Sequence, residues 1–333
     1  MKITVLGAGG WGTTLSILLY HNGHEVILWE FNKAYAKEIE QSRLNNIYLP
    51  GIILPNDILV THSLQECSSG RDMLVIAVPS QFIRSVLHQL KKVDLKNTIL
   101  VSVAKGIEKD SLHTVSQIIK HELKDITPSQ IGALSGPSHA EEVSRKVPTA
   151  VVSASRDPIT AKQIQMTFLT PYFRIYTTTD ILGVEYGGAL KNVIALAAGI
   201  IDGAKFGDNT KAAIMTRGIT EISRLGFALG AKADTFSGLS GMGDLIVTCM
   251  SKHSRNRYVG EQVGSGIKLK NILKNMQMVA EGVETCRSVH QLGKKHKLET
   301  PISSAVYNIL FEDQDPVEAI INLMAHDMRA EEE

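Results

Sequence analysis

The sequence predicts an α/β unit with a doubly wound, mostly parallel sheet over residues 1–180, followed by an all-helical unit over 181–330. Three observations predict this. Short apolar β-type runs alternate with helical stretches through the first half. A glycine-rich segment joins the first run to the first helical stretch. Beyond Ile181, long stretches with helical spacing dominate and strand-like runs disappear. Strand–helix alternation of this kind makes a parallel sheet with helices on both faces.

The elements follow in order. Residues 3–6 form an apolar run ending at glycine, and 11–20 have helical spacing, with Leu15, Leu18 and Leu19 on one face. His21-Asn22-Gly23 reads as the stop. Residues 25–29 are a second strand, and 73–78 (ended by Pro79), 98–103, 131–134, 149–153 and 172–177 are further β-type runs. Helix-like stretches lie at 81–91 and 111–123. The helical unit shows 184–201, 210–228, 254–264 and 282–296, rich in Ala, Leu, Gly and Met. The acidic end 331–333 reads as a solvated tail.

Composition excludes several classes. Of 333 residues 44% are apolar, enough for one or two cores, which rules out a disordered chain. Lys plus Arg is 35 against 34 Asp plus Glu, so the basic field of a nucleic-acid binder is lacking. Cys67, Cys249 and Cys286 lie far apart with no CxxC pair, which fits neither a disulfide framework nor a cysteine-rich zinc site and suggests a reducing interior. Met1-Lys2 leads straight into the first strand without a signal-peptide pattern. The longest strongly apolar run, 193–201, is short of the roughly 20 residues that span a bilayer. The expected location is the cytoplasm, with no transmembrane segment.

Gly7-Ala8-Gly9-Gly10-Trp11-Gly12 is G-x-G-x-x-G between a strand and a helix. Gly7 allows the tight turn, Gly9 admits a pyrophosphate close to backbone, and Gly12 lets helix pack on strand. The helix start then offers unpaired N–H groups to the anion. A glycine-rich turn can be purely structural, but the strand–loop–helix–strand context favours a dinucleotide. Glu30 ends the second strand, where a carboxylate either accepts from an adenosine ribose or is simply solvated. The first reading favours NAD, because a carboxylate repels a 2′-phosphate. No arginine follows closely, though Lys33 is near.

Other segments carry polar groups at positions suited to ligands. Lys105-Gly106 follows a strand, at the sheet edge where α/β proteins bind ligands; the alternative is a surface lysine. Ser135-Gly136-Pro137-Ser138 is either a turn or a source of donors. Gly187-Gly188-Ala189-Leu190-Lys191-Asn192 is read as the start of an apolar helix. Lys191 there either snorkels to solvent or is held in a site, where burial would lower its pKa and suit it to proton transfer. Asp244, among glycines, could orient a lysine or a substrate hydroxyl. Ser254-Arg255-Asn256 at a helix start suits a phosphate, although an Arg-Asn pair alone would read as a solvated face.

Taken together, these segments resemble NAD(P)-dependent glycerol-3-phosphate dehydrogenase, most like the bacterial biosynthetic form. The resemblance rests on 5–13, Ala104-Lys105-Gly106, Leu134-Ser135-Gly136-Pro137-Ser138 and 188–193. It continues through Thr216-Arg217-Gly218, 241–245, Ser254-Arg255-Asn256 and Glu281-Gly282, in family order over essentially the whole chain. It implies a Rossmann domain joined to a helical domain like that of 6-phosphogluconate dehydrogenase, with catalysis in the cleft between. It implies reduction of dihydroxyacetone phosphate to sn-glycerol 3-phosphate for phospholipid synthesis, with NAD or NADP and no metal. By matching position, Lys191 is the acid/base, Lys105 contacts substrate and cofactor, and Gly136 and Ser138 line the pocket. Asp244 organises the reacting end together with Lys191 and Asn192, and Ser254, Arg255 and Asn256 take the phosphate. Gly10, Trp11, Phe31, Ala140, Arg255, Val279 and Glu281 match cofactor contacts, beside Gly7, Gly9, Gly12 and Glu30.

Three positions depart from the family's common pattern. Gly10 stands where bacterial members often have serine, and Phe31 where His or Arg is frequent, which adds to the case for NAD. His139 occupies a place where an aromatic is usual; packing is the expected role, with a ligand role as the alternative. A small-molecule substrate and a homodimer are expected, with no nucleic acid. Two other classes remain: a related dehydrogenase acting on a hydroxy acid, and a non-catalytic dinucleotide sensor, which would not need Lys105, Lys191 and Asp244 together.

Overall fold

The structure is a computed structural model that describes residues 1–325; the acidic end 331–333 lies outside them. The first half contains β1 (Lys2–Leu6), α1 (Gly10–His21), β2 (Glu25–Trp29), α2 (Lys33–Ser42), β3 (Leu59–Thr61), α3 (Leu64–Ser68) and β4 (Met73–Ile76). It continues with α4 (Ser80–Gln89), β5 (Ile99–Ser102), α5 (Val115–Glu122), β6 (Ile131–Ser135), α6 (Ala140–Val143), β7 (Thr149–Ser155), α7 (Pro158–Phe168) and β8 (Phe173–Thr178). The second half is helical: α8 (Ile181–Gly203), α9 (Asp208–Ala228), α10 (Ala233–Phe236), α11 (Asp244–Met250) and α12 (Arg255–Gly264). After these come α13 (Leu269–Lys274), α14 (Glu281–His296), α15 (Pro301–Phe311) and α16 (Pro316–Met324).

The eight strands form one sheet in the order β3-β2-β1-β4-β5-β6-β7-β8. Pairing is parallel from β3 through to β6, so this is a Rossmann-type sheet. Its central strands are buried on both faces: Met73 and Val75 enter one apolar layer, Leu74 and Ile76 the other. β7 runs antiparallel to β6 and parallel to β8. The connection from β6 to β7 carries only the four-residue α6. β1 has β2 on one side and β4 on the other, and that switch in strand order opens the crevice where α/β sheets take ligands.

α8 is the core of the helical half, apolar on nearly every side and wrapped by α9, α11, α12, α14 and α15. It is 23 residues long and apolar enough to cross a membrane, but its apolar window is wholly buried inside the fold, as a core helix requires. Against α12 it packs backbone to backbone. A Cβ at Gly199 would collide with Arg257 O, and one at Gly260 with Leu196 O.

Two boundaries differ from expectation. The helix expected over 111–123 forms only from Val115, because Thr114 and Gln117 make a capping box there. The Gly187–Asn192 stretch is not a helix start but the middle of α8. Its glycines serve close packing instead: side chains there would meet Ser240 O and Ser135 Oγ.

Two glutamates, Glu185 buried and Glu281 half-buried, tie the halves together. Glu185 of α8 accepts from Ser116 N (2.7 Å) and Ser116 Oγ (2.5 Å), at the start of α5. Glu281, opening α14, accepts from Ser80 N (2.9 Å) and from Ser80 Oγ at the start of α4. Both carboxylates thereby meet the positive ends of helices in the opposite half.

Candidate active site

The glycine segment lies at the C-terminal end of β1, beside the residues that follow β4. Gly7 has φ +116°, a region that favours glycine, and a Cβ there would sit 2.9 Å from Ala77 O. At Gly12 a side chain would strike Gly7 O, whereas above Gly9 the space is open. The result is a bare backbone cradle at the start of α1, with helix N–H groups facing it, and these residues fit a dinucleotide pyrophosphate. Gly10 could not carry the serine of the common pattern unaltered, because its Cβ would lie 2.6 Å from Tyr48 O. The ring of Trp11 packs toward Phe173, with centroids 6.2 Å apart.

Glu30 is buried just after β2, its Oε1 accepting from Asn32 N (2.9 Å), and burial raises its pKa. Phe31 is 75% exposed beside it, a large apolar ring turned to solvent. Ala140 begins α6 over the glycine loop, its carbonyl 3.3 Å from Thr14 Oγ1. Val279 lies on the helical side, its carbonyl accepting from an Arg255 guanidinium nitrogen (3.0 Å).

Three titratable groups from both halves meet at the cleft. Lys105 Nζ donates to Gly136 O (2.9 Å) and to Asp244 Oδ2 (2.7 Å), with Ser138 Oγ at 3.4 Å. The other carboxylate oxygen, Asp244 Oδ1, lies 3.0 Å from Lys191 Nζ. Lys191 also donates to Thr248 Oγ1 (2.6 Å), which donates in turn to the Asp244 carbonyl (2.6 Å). Lys191 and Asp244 are both buried. Burial disfavours the Lys191 ammonium more than Asp244 favours it, and holds its pKa down to about 8. Burial works against the Asp244 carboxylate too, but the two ammonium groups outweigh it and keep its pKa below the usual range.

The Ser-Arg-Asn segment opens α12 as expected of a helix start. Ser254 is the N-cap, its Oγ accepting from Arg257 N (3.2 Å). Arg255 is exposed in the cleft. Asn256 is buried, with both ends of its amide engaged: Nδ2 donates to Asn192 Oδ1 and Oδ1 accepts from Gly282 N, each at 2.9 Å. Asn192 Nδ2 donates in turn to Lys105 O (2.8 Å). A chain of amides therefore links the lysine-bearing loop, α8, α12 and α14, and braces the walls of the cleft.

Some contributors had no sequence signal. Thr248 is an ordinary helical residue until its position one turn after Asp244 places it on Lys191. Asn45 buttresses the glycine loop, donating to Ala8 O and Thr13 Oγ1, each at 2.7 Å; nothing local marks it. Glu185 and Ser80 work as a cap and as a capped residue across the two halves. Among the described residues, no group of three His, Cys, Asp or Glu side chains is placed to hold a metal.

Comparison with known proteins gives matches along the chain. Residues 2–161 match the model of the N-terminus of NAD-dependent glycerol-3-phosphate dehydrogenase, and 180–321 that of its C-terminus. A glycerol-3-phosphate dehydrogenase [NAD(P)+] of Chlorobium phaeobacteroides (strain BS1) is 50% identical over 331 residues, covering 99% of both chains. One of Fusobacterium nucleatum is also 50% identical, over 99% of this chain and 98% of its own. Among solved structures, a glycerol-3-phosphate dehydrogenase from Coxiella burnetii superposes with TM-score 0.93 at 36% identity, over 97% of this chain and 98% of that one.

Proposed function

The chain belongs to the NAD-dependent glycerol-3-phosphate dehydrogenase family, and from that premise we propose which residues carry its reaction. It is an NAD(P)-dependent oxidoreductase that interconverts dihydroxyacetone phosphate and sn-glycerol 3-phosphate. The nicotinamide, when bound, supplies the hydride to C2 or takes it away. Lys191 moves the proton at the C2 oxygen: two of its N–H groups are held by Thr248 and Asp244, and the third is left for the substrate. In reduction the ammonium meets an oxygen gaining negative charge, which is general acid and electrostatic catalysis in one group. Lys105, saturated by Gly136, Ser138 and Asp244, adds positive potential and fixes the carboxylate that aims Lys191.

Arg255, Ser254 and the start of α12 take the phosphate, which does not react, so their role is to align C2. Asn192 and Asn256 keep that end in register with the lysines. Gly7, Gly9, Gly10, Trp11, Gly12 and Ala140 form the cofactor's pyrophosphate side, Gly136 and Ser138 line the substrate side, and Val279 and Glu281 close the helical side. Glu30 and Phe31 favour NAD, since neither can pair with a 2′-phosphate. In the cell the product feeds phospholipid synthesis in the cytoplasm. Exposed Met242, Ile246 and Met250, at helical spacing, support a homodimer; sedimentation giving only monomer at micromolar concentration would remove it.

The observation that carries this reading is the Lys105–Asp244–Lys191 cluster, an ammonium poised near neutral pH and held by groups from both halves. Its test is NADH oxidation with dihydroxyacetone phosphate, run beside dihydroxyacetone and a 2-oxo acid. Turnover confined to the phosphorylated ketone is expected; preference for the 2-oxo acid would overturn the assignment.

A further inference from the structure

Among the described residues, His139 Nε2 is one of five buried side-chain nitrogens and oxygens with no hydrogen-bond partner. Leaving such an atom unpaired costs free energy, so its place in a cleft asks for a ligand. His139 precedes α6 and follows the Gly136–Ser138 turn that binds Lys105. Its ring lies 5.8 Å from that of His253, on the opposite wall of the cleft and immediately before Ser254. The charged groups facing it are Lys191, Lys105, Asp244 and Glu141, and Glu141 also faces Arg255. His139 thus stands between the lysine pair and the start of α12.

We infer that His139 Nε2 binds the substrate phosphate, completing from the sheet half the anion site that Arg255 and Ser254 begin. This rests on the triose-phosphate reading above and assigns a specificity-determining residue within it. Burial and the two lysines hold the free ring below the ordinary histidine pKa, so it is neutral at pH 7. A phosphate dianion reverses that balance: the ring takes a proton from solvent and donates a charge-assisted hydrogen bond.

The test uses His139→Phe, which keeps a ring against His253 but no nitrogen, and His139→Gln, which keeps a terminal N–H. The Phe variant should raise KM for dihydroxyacetone phosphate about tenfold or more, with kcat and the KM for NADH little changed. The Gln variant should recover part of that loss. Calorimetry supplies a second readout: NADH-saturated enzyme is titrated with sn-glycerol 3-phosphate at neutral pH in two buffers of different protonation enthalpy. Wild type should take up more protons than the Phe variant. An unchanged KM in the Phe variant, equal losses in both variants, or equal proton uptake would overturn the assignment. Wild-type enzyme inactive on dihydroxyacetone phosphate would instead sink the functional reading beneath it.

Discussion

The Lys105 ammonium of the sheet half lies 2.7 Å from the Asp244 carboxylate of the helical half. The same carboxylate holds Lys191 at 3.0 Å. One buried anion therefore faces two cations, and in the proposed mechanism the surplus positive charge meets the ketone oxygen as it becomes negative. Asp244 and Lys191 already pair within the helical half, so Lys105 is the charge that the sheet half adds across the seam.

Lys191→Ala should lower kcat by about 10²–10⁴-fold, the usual worth of a positioned acid or base. The pH dependence should have opposite signs in the two directions. Oxidation of sn-glycerol 3-phosphate needs the neutral amine, so kcat/KM should rise with pH through about 8; reduction needs the ammonium, so kcat/KM should fall over the same range. Steady-state profiles measured in both directions check this, and parallel slopes would contradict it.

Asp244→Asn would leave two ammonium groups in the cleft without their counter-charge. Removing one partner from a buried ion pair costs about 3–5 kcal/mol, so a clear fall in Tm is expected by differential scanning calorimetry. Asp244 also raises the Lys191 pKa, so its loss should move the oxidation limb to lower pH. A variant with wild-type Tm and an unmoved limb would show that the carboxylate does neither.

Arg255→Ala should act on binding. Losing a charge-assisted phosphate contact should raise KM for dihydroxyacetone phosphate by roughly ten- to a hundredfold and affect kcat less. Arg255→Lys should recover only part, because a point charge lacks the guanidinium fork. If the alanine variant instead loses kcat at constant KM, Arg255 belongs to the chemistry and not to the phosphate.

Cofactor choice should follow Glu30 and Phe31. Wild type should show the higher kcat/KM with NADH, and Phe31→Arg should raise kcat/KM for NADPH by supplying a partner for the 2′-phosphate. A wild-type preference for NADPH, measured with both cofactors at fixed ketone, would reverse the roles assigned here.

The sheet was largely legible because buried parallel strands such as 73–76 are near-continuous apolar runs that glycine or proline punctuates. β3, three residues long at the sheet edge, had too little pattern to find. The helical stretch 184–201 was legible, but Gly187 and Gly188 suggested a helix start, and only the nearness of Ser240 and Ser135 shows why they sit in the middle of α8. Lys105, Asp244 and Lys191 could be singled out from their surroundings in sequence, but their mutual contacts could not, since they lie on three separate segments. Thr248 and Asn45 were invisible for the same reason: their work is done on partners far along the chain.

The backbone contact between α8 and α12 sets a length. α8 carries Lys191, and α12 opens at Ser254 and Arg255. Where Gly199 and Gly260 meet, main chain lies on main chain, and no side-chain rotation can widen or narrow the gap. With the roles proposed for Lys191 and Arg255, the span from proton donor to anion site is a stiff caliper. On those roles the fit to a three-carbon skeleton would be set by residues that never touch the molecule they measure.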